Sequence, residues 1–302
     1  MKDKEINGEN YFEPLRHFIW DGDDMVLDAV REQDLAKRAQ LFDLVYEHYE
    51  KGARLNPDYF GTYHYWGVAL YEQAVLEQDE TERTRLFDLC YLKYERVIEM
   101  KPNWNIAFYN WGIALWQQAN LTQDRANRTN FLKLACEKFS RAPLVRQDGH
   151  EALHCWGFSL ADLAELAEDE AQQVRLLTLA CEKFEQATEI QKYKFEAFFQ
   201  WGTCLIILAQ LAQDESERSR LLKLANLKLA RSILINPDIG NTWYNLGCQF
   251  AMQNKPVKSA QALVQWKKID PVASRAELDG DTCFDNIRES SEYLAFYGSL
   301  PE

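Results

Sequence analysis

The chain has 302 residues, 47% of them hydrophobic, which is enough apolar material for a sizeable core and argues against disorder. Its 47 acidic residues outnumber the 34 basic ones, for a net charge of -13. Nucleic-acid affinity comes mostly from Lys and Arg neutralising phosphates, so this balance argues against a phosphate-binding surface and disfavours adhesion to an anionic membrane.

The N-terminus reads Met-Lys-Asp-Lys-Glu with no apolar stretch behind it, unlike a secretory signal. Tyr11, Phe12, Leu15, Phe18, Ile19 and Trp20 then cluster over residues 10–22, as a cap on a helical array would. Beyond them a repeat sets in. Trp66-Gly67, Trp111-Gly112, Trp156-Gly157 and Trp201-Gly202 are each 45 residues apart. Leu246-Gly247 continues the step, and Asp21-Gly22 lies one step back. A second marker keeps the phase: Gln33-Asp34, Gln78-Asp79, Gln123-Asp124, Glu168-Asp169 and Gln213-Asp214. Two markers in phase over several copies mean tandem repeats.

Each unit reads as two helices. In the best-marked copy they span residues 59–77 and 80–100, and Leu86, Leu89, Cys90, Tyr94, Val97 and Ile98 put one apolar stripe on the second. Asp79 with Glu82, Asp214 with Glu217, Asp169 with Gln172 and, more weakly, Asp124 with Asn127 resemble reciprocal helix starts. Pro57, Pro102, Pro237 and Pro271 close second helices. Gln147 and Lys192 stand there in two units, and Pro143 is expected to end or kink its helix near Arg141–Leu144. The recurring mid-helix Gly costs about 1 kcal/mol relative to Ala, so it implies close approach of a neighbouring helix.

The last unit carries Trp243, Leu246, Gly247, Phe250, Leu263 and Pro271 at the spacing of the tetratricopeptide repeat, and the chain resembles that family over about residues 20–271. The other units exceed the family's length by 11 residues, about three helical turns shared between the two helices. Small residues at Val45, Cys90, Ala135, Ala180 and Ala225, and Tyr49, Tyr94, Phe139, Phe184 and Leu229 after them, match further family positions. The resemblance implies an all-α fold, a right-handed α-solenoid of stacked antiparallel helix pairs in a long-helix variant. The expected layout is an N-terminal cap over 1–22 and a solenoid over 23–271. Its units fall at about 23–57, 58–102, 103–147, 148–192, 193–237 and 238–271, with capping helices over 272–302. The stretch around Asp281, Phe284 and Ile287 is similar to terminal segments that close bacterial arrays of this kind.

Chemistry is sparse. Cys90, Cys136, Cys155, Cys181, Cys204, Cys248 and Cys283 include no C-x-x-C pair and read as buried thiols in a reducing, cytoplasmic setting, with no metal and no cofactor expected. His150, Glu151 and His154 formally match H-E-x-x-H, which keeps a zinc hydrolase as a remote alternative. The match falls on a repeated helix position without an evident third ligand, so an enzyme is not expected. No 18-residue apolar run occurs, so no membrane insertion is expected.

In the resembled family, first helices line the concave wall. The candidate groove residues here are His64, Tyr71, Tyr109, Trp116, His154, Phe199 and Tyr244, with His64, Tyr109 and His154 outermost. Aromatic anchors of this kind dominate protein interfaces. Family members that grip a chaperone's C-terminal carboxylate use Lys and Asn. Here His64, Val68 and Asn110 occupy those places, without the basic residue. The expected function is an adaptor or assembly scaffold that binds a peptide or helix of a protein partner. A structural subunit of a larger complex is the alternative, and the oligomeric state stays open.

Overall fold

The computed structural model describes residues 13–142, 149–270 and 272–301. The chain divides into two compact units, Met1–Pro143 and Leu144–Glu302. The first contains α1 (Glu13–Arg31), α2 (Leu35–Leu55), α3 (Phe60–Leu76), α4 (Glu80–Met100), α5 (Asn105–Leu121) and α6 (Arg125–Ser140). The second contains α7 (Gly149–Glu165), α8 (Glu170–Ile190), α9 (Phe195–Leu211), α10 (Glu215–Ile235), α11 (Gly240–Met252) and α12 (Pro256–Ile269). It ends in α13 (Ala276–Asp279), a 3-10 segment (Thr282–Ile287) and α14 (Ser291–Tyr297). The fold is all-α, with no strand among the described residues. Within each unit, consecutive helices pack as antiparallel pairs and each pair stacks on the next, the expected α-solenoid arrangement. The cap residues Leu15, Phe18, Ile19 and Trp20 lie in α1, while Tyr11 and Phe12 lie outside the described residues.

The two sequence markers have distinct physical roles. Asp34, Asp79, Asp124, Asp169 and Asp214 each stand one residue before a second helix, and each carboxylate accepts from the backbone N–H three residues on. Such a cap contributes about 1 kcal/mol. The reciprocal half of the expected capping box is not made by Glu82 or Glu217. They instead pair with Arg85 and Arg220, at 2.6 Å in both cases. Gln172 reaches back one residue too far to close the box, accepting from the backbone N–H of Glu168 (3.1 Å) rather than from that of the cap residue Asp169.

The glycines answer to a bulky side chain on the partner helix, a ring for Gly67, Gly112 and Gly157 and a leucine, Leu229 and Leu263, for Gly202 and Gly247. A Cβ on Gly67, Gly112 or Gly157 would lie 2.9, 2.7 and 2.6 Å from the rings of Tyr94, Phe139 and Phe184. The recurring spacing therefore records close packing of first helix on second. The recurring Trp has its own partner. Lys93, Lys138, Lys183 and Lys228 place their ammonium groups 3.4, 4.2, 4.3 and 3.3 Å from the ring centres of Trp66, Trp111, Trp156 and Trp201.

Length differences fall unequally on the two helices. The final pair, α11 and α12, has 13 and 14 residues, against 17 and 21 in α3 and α4. The first helix thus gains about one turn and the second about two, rather than equal shares. Proline is not what ends every second helix, because α8 stops at Ile190 in the same register with Lys192 at the proline position. The shortened α6 ends at Ser140, as expected upstream of Pro143. Pro143, Gln147 and Pro271 lie outside the described residues.

Candidate functional site

First helices of adjacent pairs touch directly within each unit. In the first unit, Asn110 Nδ2 of α5 donates to His64 Nε2 of α3 (3.3 Å). In the second, Asn245 Nδ2 of α11 donates to Thr203 Oγ1 of α9 (2.8 Å), and Lys194 at the start of α9 pairs with Glu151 of α7 (2.6 Å). The candidate stripe therefore runs over neighbouring helices of the same unit. In α3 and α5 it carries the half-buried Tyr71, Tyr109 and Trp116. The Tyr109 ring centre lies 6.3 Å from that of Phe139, which ties it to the second helix of its own pair.

Two of the residues expected to be outermost are interior. His64 and His154 are each 6% exposed. The His64 ring lies 6.0 Å from Tyr94, and the His154 ring stands edge-on to Phe158 and Phe184 at 4.7 and 6.0 Å. They occupy the hairpin interior because the imidazole lies over the ring that faces the recurring Gly. Burial pushes both histidines down to about 4, with the Lys194 charge a second cause at His154. A bond donated by Asn110 to His64 requires the neutral imidazole. The H-E-x-x-H match dissolves in the same way: Glu151 turns to Lys194 and His150, while His154 points into the hairpin.

Tyr244 differs from the rest of the stripe, because the chain's own C-terminal segment lies on it. The single Tyr244 hydroxyl hydrogen is shared between Asp281 Oδ2 (2.7 Å) and the Glu277 carbonyl (3.1 Å). Its ring stands edge-on to Trp266 at 5.1 Å and to Phe284 at 5.8 Å. The 3-10 segment thus covers the first helix of the last pair while α14 packs on the second. Phe199, one pair earlier, remains half-buried.

This segment brings together three groups that the sequence did not associate. Cys248 of α11, Asp281 and Cys283 place their Sγ and carboxylate oxygen atoms within 4.8 Å of one another. Burial first, then Cys283 and Asp281, raises the Cys248 thiol well above its usual range. Their separation in sequence hid them, since only the return of the tail onto α11 unites them.

A second unforeseen feature is an apolar cavity of about 430 Å³ between α8, α9 and α10. Cys181, Trp201, Leu205, Leu208 and Leu221 form its walls, and Glu217 and Arg220 stand at its rim. The residues were readable at their repeat positions, where Cys181 and Leu208 stand for Tyr91 and Gln118 two units earlier.

No protein-family model matches the chain, and no curated protein matches it. Solved structures do. YrrB, described as a TPR protein with an unusual peptide-binding site, is similar with a TM-score of 0.50 at 17% identity, over 74% of this chain and 92% of its own. PilF of Pseudomonas aeruginosa is similar with a TM-score of 0.50 at 10% identity, over 88% of this chain and 98% of its own. At these identities the likeness is one of fold: the chain has the tetratricopeptide-like architecture.

Proposed function

We propose that the chain is a non-enzymatic protein–protein interaction module, an adaptor or assembly scaffold built from a long-helix variant of the tetratricopeptide repeat. Its first-helix faces would hold an apolar or amphipathic segment of a partner. The observation that carries this reading is the seating of the C-terminal segment on α11. There a short helical turn sets Phe284 against Tyr244 and satisfies its polar edge through Asp281. A partner helix that presents an apolar side chain would use the same chemistry on Tyr71, Tyr109 and Trp116, or on Phe199. Aromatic side chains bury much area with little rotamer entropy, which suits them as anchors. The peptide-binding site described for YrrB agrees with this use of the fold. His64, His154 and Tyr244 then act behind or beside the binding face, and no membrane or nucleic acid enters the reading: no described helix is long and apolar enough to cross a membrane.

The test is affinity purification of the full chain followed by mass spectrometry, repeated with Tyr109→Ala combined with Phe199→Ala. We expect one partner retained by the parent chain. The double variant should bind it about tenfold or more weakly, at unchanged helicity by circular dichroism. Equal retention by the parent and the variant would overturn the face assignment.

A further inference from the structure

We infer that Cys248, Asp281 and Cys283 form a binding site for a soft divalent cation of the zinc class, which clips the C-terminal segment onto α11. The donor atoms lie within 4.8 Å of one another, and Cys248 Sγ is 3.6 Å from Asp281 Oδ2. Tetrahedral zinc, with Zn–S of about 2.3 Å and Zn–O of about 2.0 Å, sets a sulfur and an oxygen ligand about 3.5 Å apart. The observed spacing already meets that edge. Two sulfurs and one carboxylate select zinc-class ions over magnesium or calcium, which take oxygen-only cages. Cys248 and Cys283 are 3% and 6% exposed, whereas Asp281 is only half-buried. Three protein ligands leave the fourth tetrahedral position to water, and the half-exposed Asp281 side is where solvent reaches the site.

The groups around the three ligands are arranged as metal sites require. Ligating side chains are held in place by partners one shell out, and those partners matter to affinity. Here the Tyr244 hydroxyl donates to Asp281 Oδ2 (2.7 Å), and the Cys283 backbone N–H donates to Asp281 Oδ1 (2.8 Å). Gln210 Nε2 of α9 donates to Cys283 Sγ (3.1 Å). Arg288 Nη2 donates to the Asp281 carbonyl (2.8 Å), which steadies the backbone that carries two of the ligands. Binding is proton-balanced: two thiol S–H bonds break, two metal–sulfur bonds form, and two protons leave to solvent. No oxidant or reductant is needed. The consequence is mechanical, since the ion joins the tail to the last first helix and keeps Tyr244 covered.

The experiment uses the full chain, metal-depleted and kept under a phosphine reductant, titrated with Co2+ and then with Zn2+. We expect one equivalent of Co2+ with sulfur-to-cobalt charge-transfer absorption, displaced by Zn2+. Hydrogen exchange over residues 282–287 should slow on Zn2+ addition. Cys248→Ser, Cys283→Ser and Asp281→Asn should each weaken binding about tenfold or more. The titration of the parent chain decides the matter even where a variant fails to fold. Absence of charge-transfer absorption in excess Co2+ overturns the proposal. So does Co2+ binding that is unchanged in both cysteine variants. A reduced chain that binds no metal while oxidation joins Cys248 to Cys283 overturns it in favour of a disulfide.

Discussion

The junction of α2 with α3 and the junction of α8 with α9 occupy the same place in their repeats, yet one is filled and the other hollow. Tyr46 of α2 donates its hydroxyl to Gln73 of α3, and the cavity beside them is about 140 Å³. Cys181 and Leu208 hold those two positions in the second unit, where the cavity is about 430 Å³. The α4–α5 junction shows the filled form in full. Tyr91 stacks on Trp111 at 6.1 Å and donates to Gln118 Oε1 (2.6 Å). The lesson is that the repeat frame is held by a capping Asp, a glycine pressed against the partner helix (Gly67 on Tyr94, Gly202 on Leu229) and Trp under Lys, all present in both places. The interior between pairs can vary without disturbing it.

The largest expected effect comes from hollowing a filled junction. Tyr91→Ala removes a ring from Trp111 and leaves Gln118, only 4% exposed, without its donor. Loss of a packed aromatic costs about 3–5 kcal/mol, and a stranded buried amide adds to it. Cys181→Ala, at the junction that is already open, should cost about 1 kcal/mol. Urea denaturation of both variants checks the contrast, and equal losses would break the comparison.

A smaller effect tests what the two units share. His64 and His154 sit at one repeat position, and burial pushes each down to about 4 from an ordinary value near 6.5. The unfolded chain therefore takes up these protons before the folded chain does. Stability is intact above pH about 6.5 and falls as pH drops toward 4, by up to about 1.4 kcal/mol per pH unit for each histidine. At pH 5 each should cost about 2 kcal/mol. His64→Phe and His154→Phe, which copy the residue at Phe199, should each flatten that slope in urea midpoints measured at pH 7 and 5. A slope unchanged in both would assign the acid sensitivity to carboxylates instead.

Most of the fold was legible because it repeats. Asp79 and Gly67 recur at a 45-residue step, and each does one local job that needs no knowledge of distant chain. The Lys93–Trp66 contact was equally open to discovery, since Lys138, Lys183 and Lys228 keep the step. The site was less legible for two reasons. Periodicity places His64 on the first-helix stripe, but whether it faces solvent or Tyr94 depends on where the second helix crosses. The capping tail over 272–302 is expected from the sequence, but that it covers Tyr244 and brings Cys283 to Cys248 depends on its register against α11, which no local pattern encodes.

The smallest effect is also the sharpest test of the comparison. Cys181→Tyr with Leu208→Gln transplants the filled junction into the hollow one. If the two backbones are equivalent, the new ring lies on Trp201 as Tyr91 lies on Trp111, and its hydroxyl finds the new amide. Cavity filling of this kind stabilises by about 0.5–2 kcal/mol. The single change Cys181→Tyr should do less, because its hydroxyl would face Leu208 and an unpaired buried polar group costs about 1–3 kcal/mol. The single change Leu208→Gln should destabilise, as it buries an amide beside a thiol. The double variant should therefore exceed the sum of its parts in urea midpoints, with a favourable coupling of about 1 kcal/mol. Additive or unfavourable coupling would mean that α8 and α9 have settled into their own spacing around Cys181, and that the hollow is a different junction rather than the same one with its tyrosine removed.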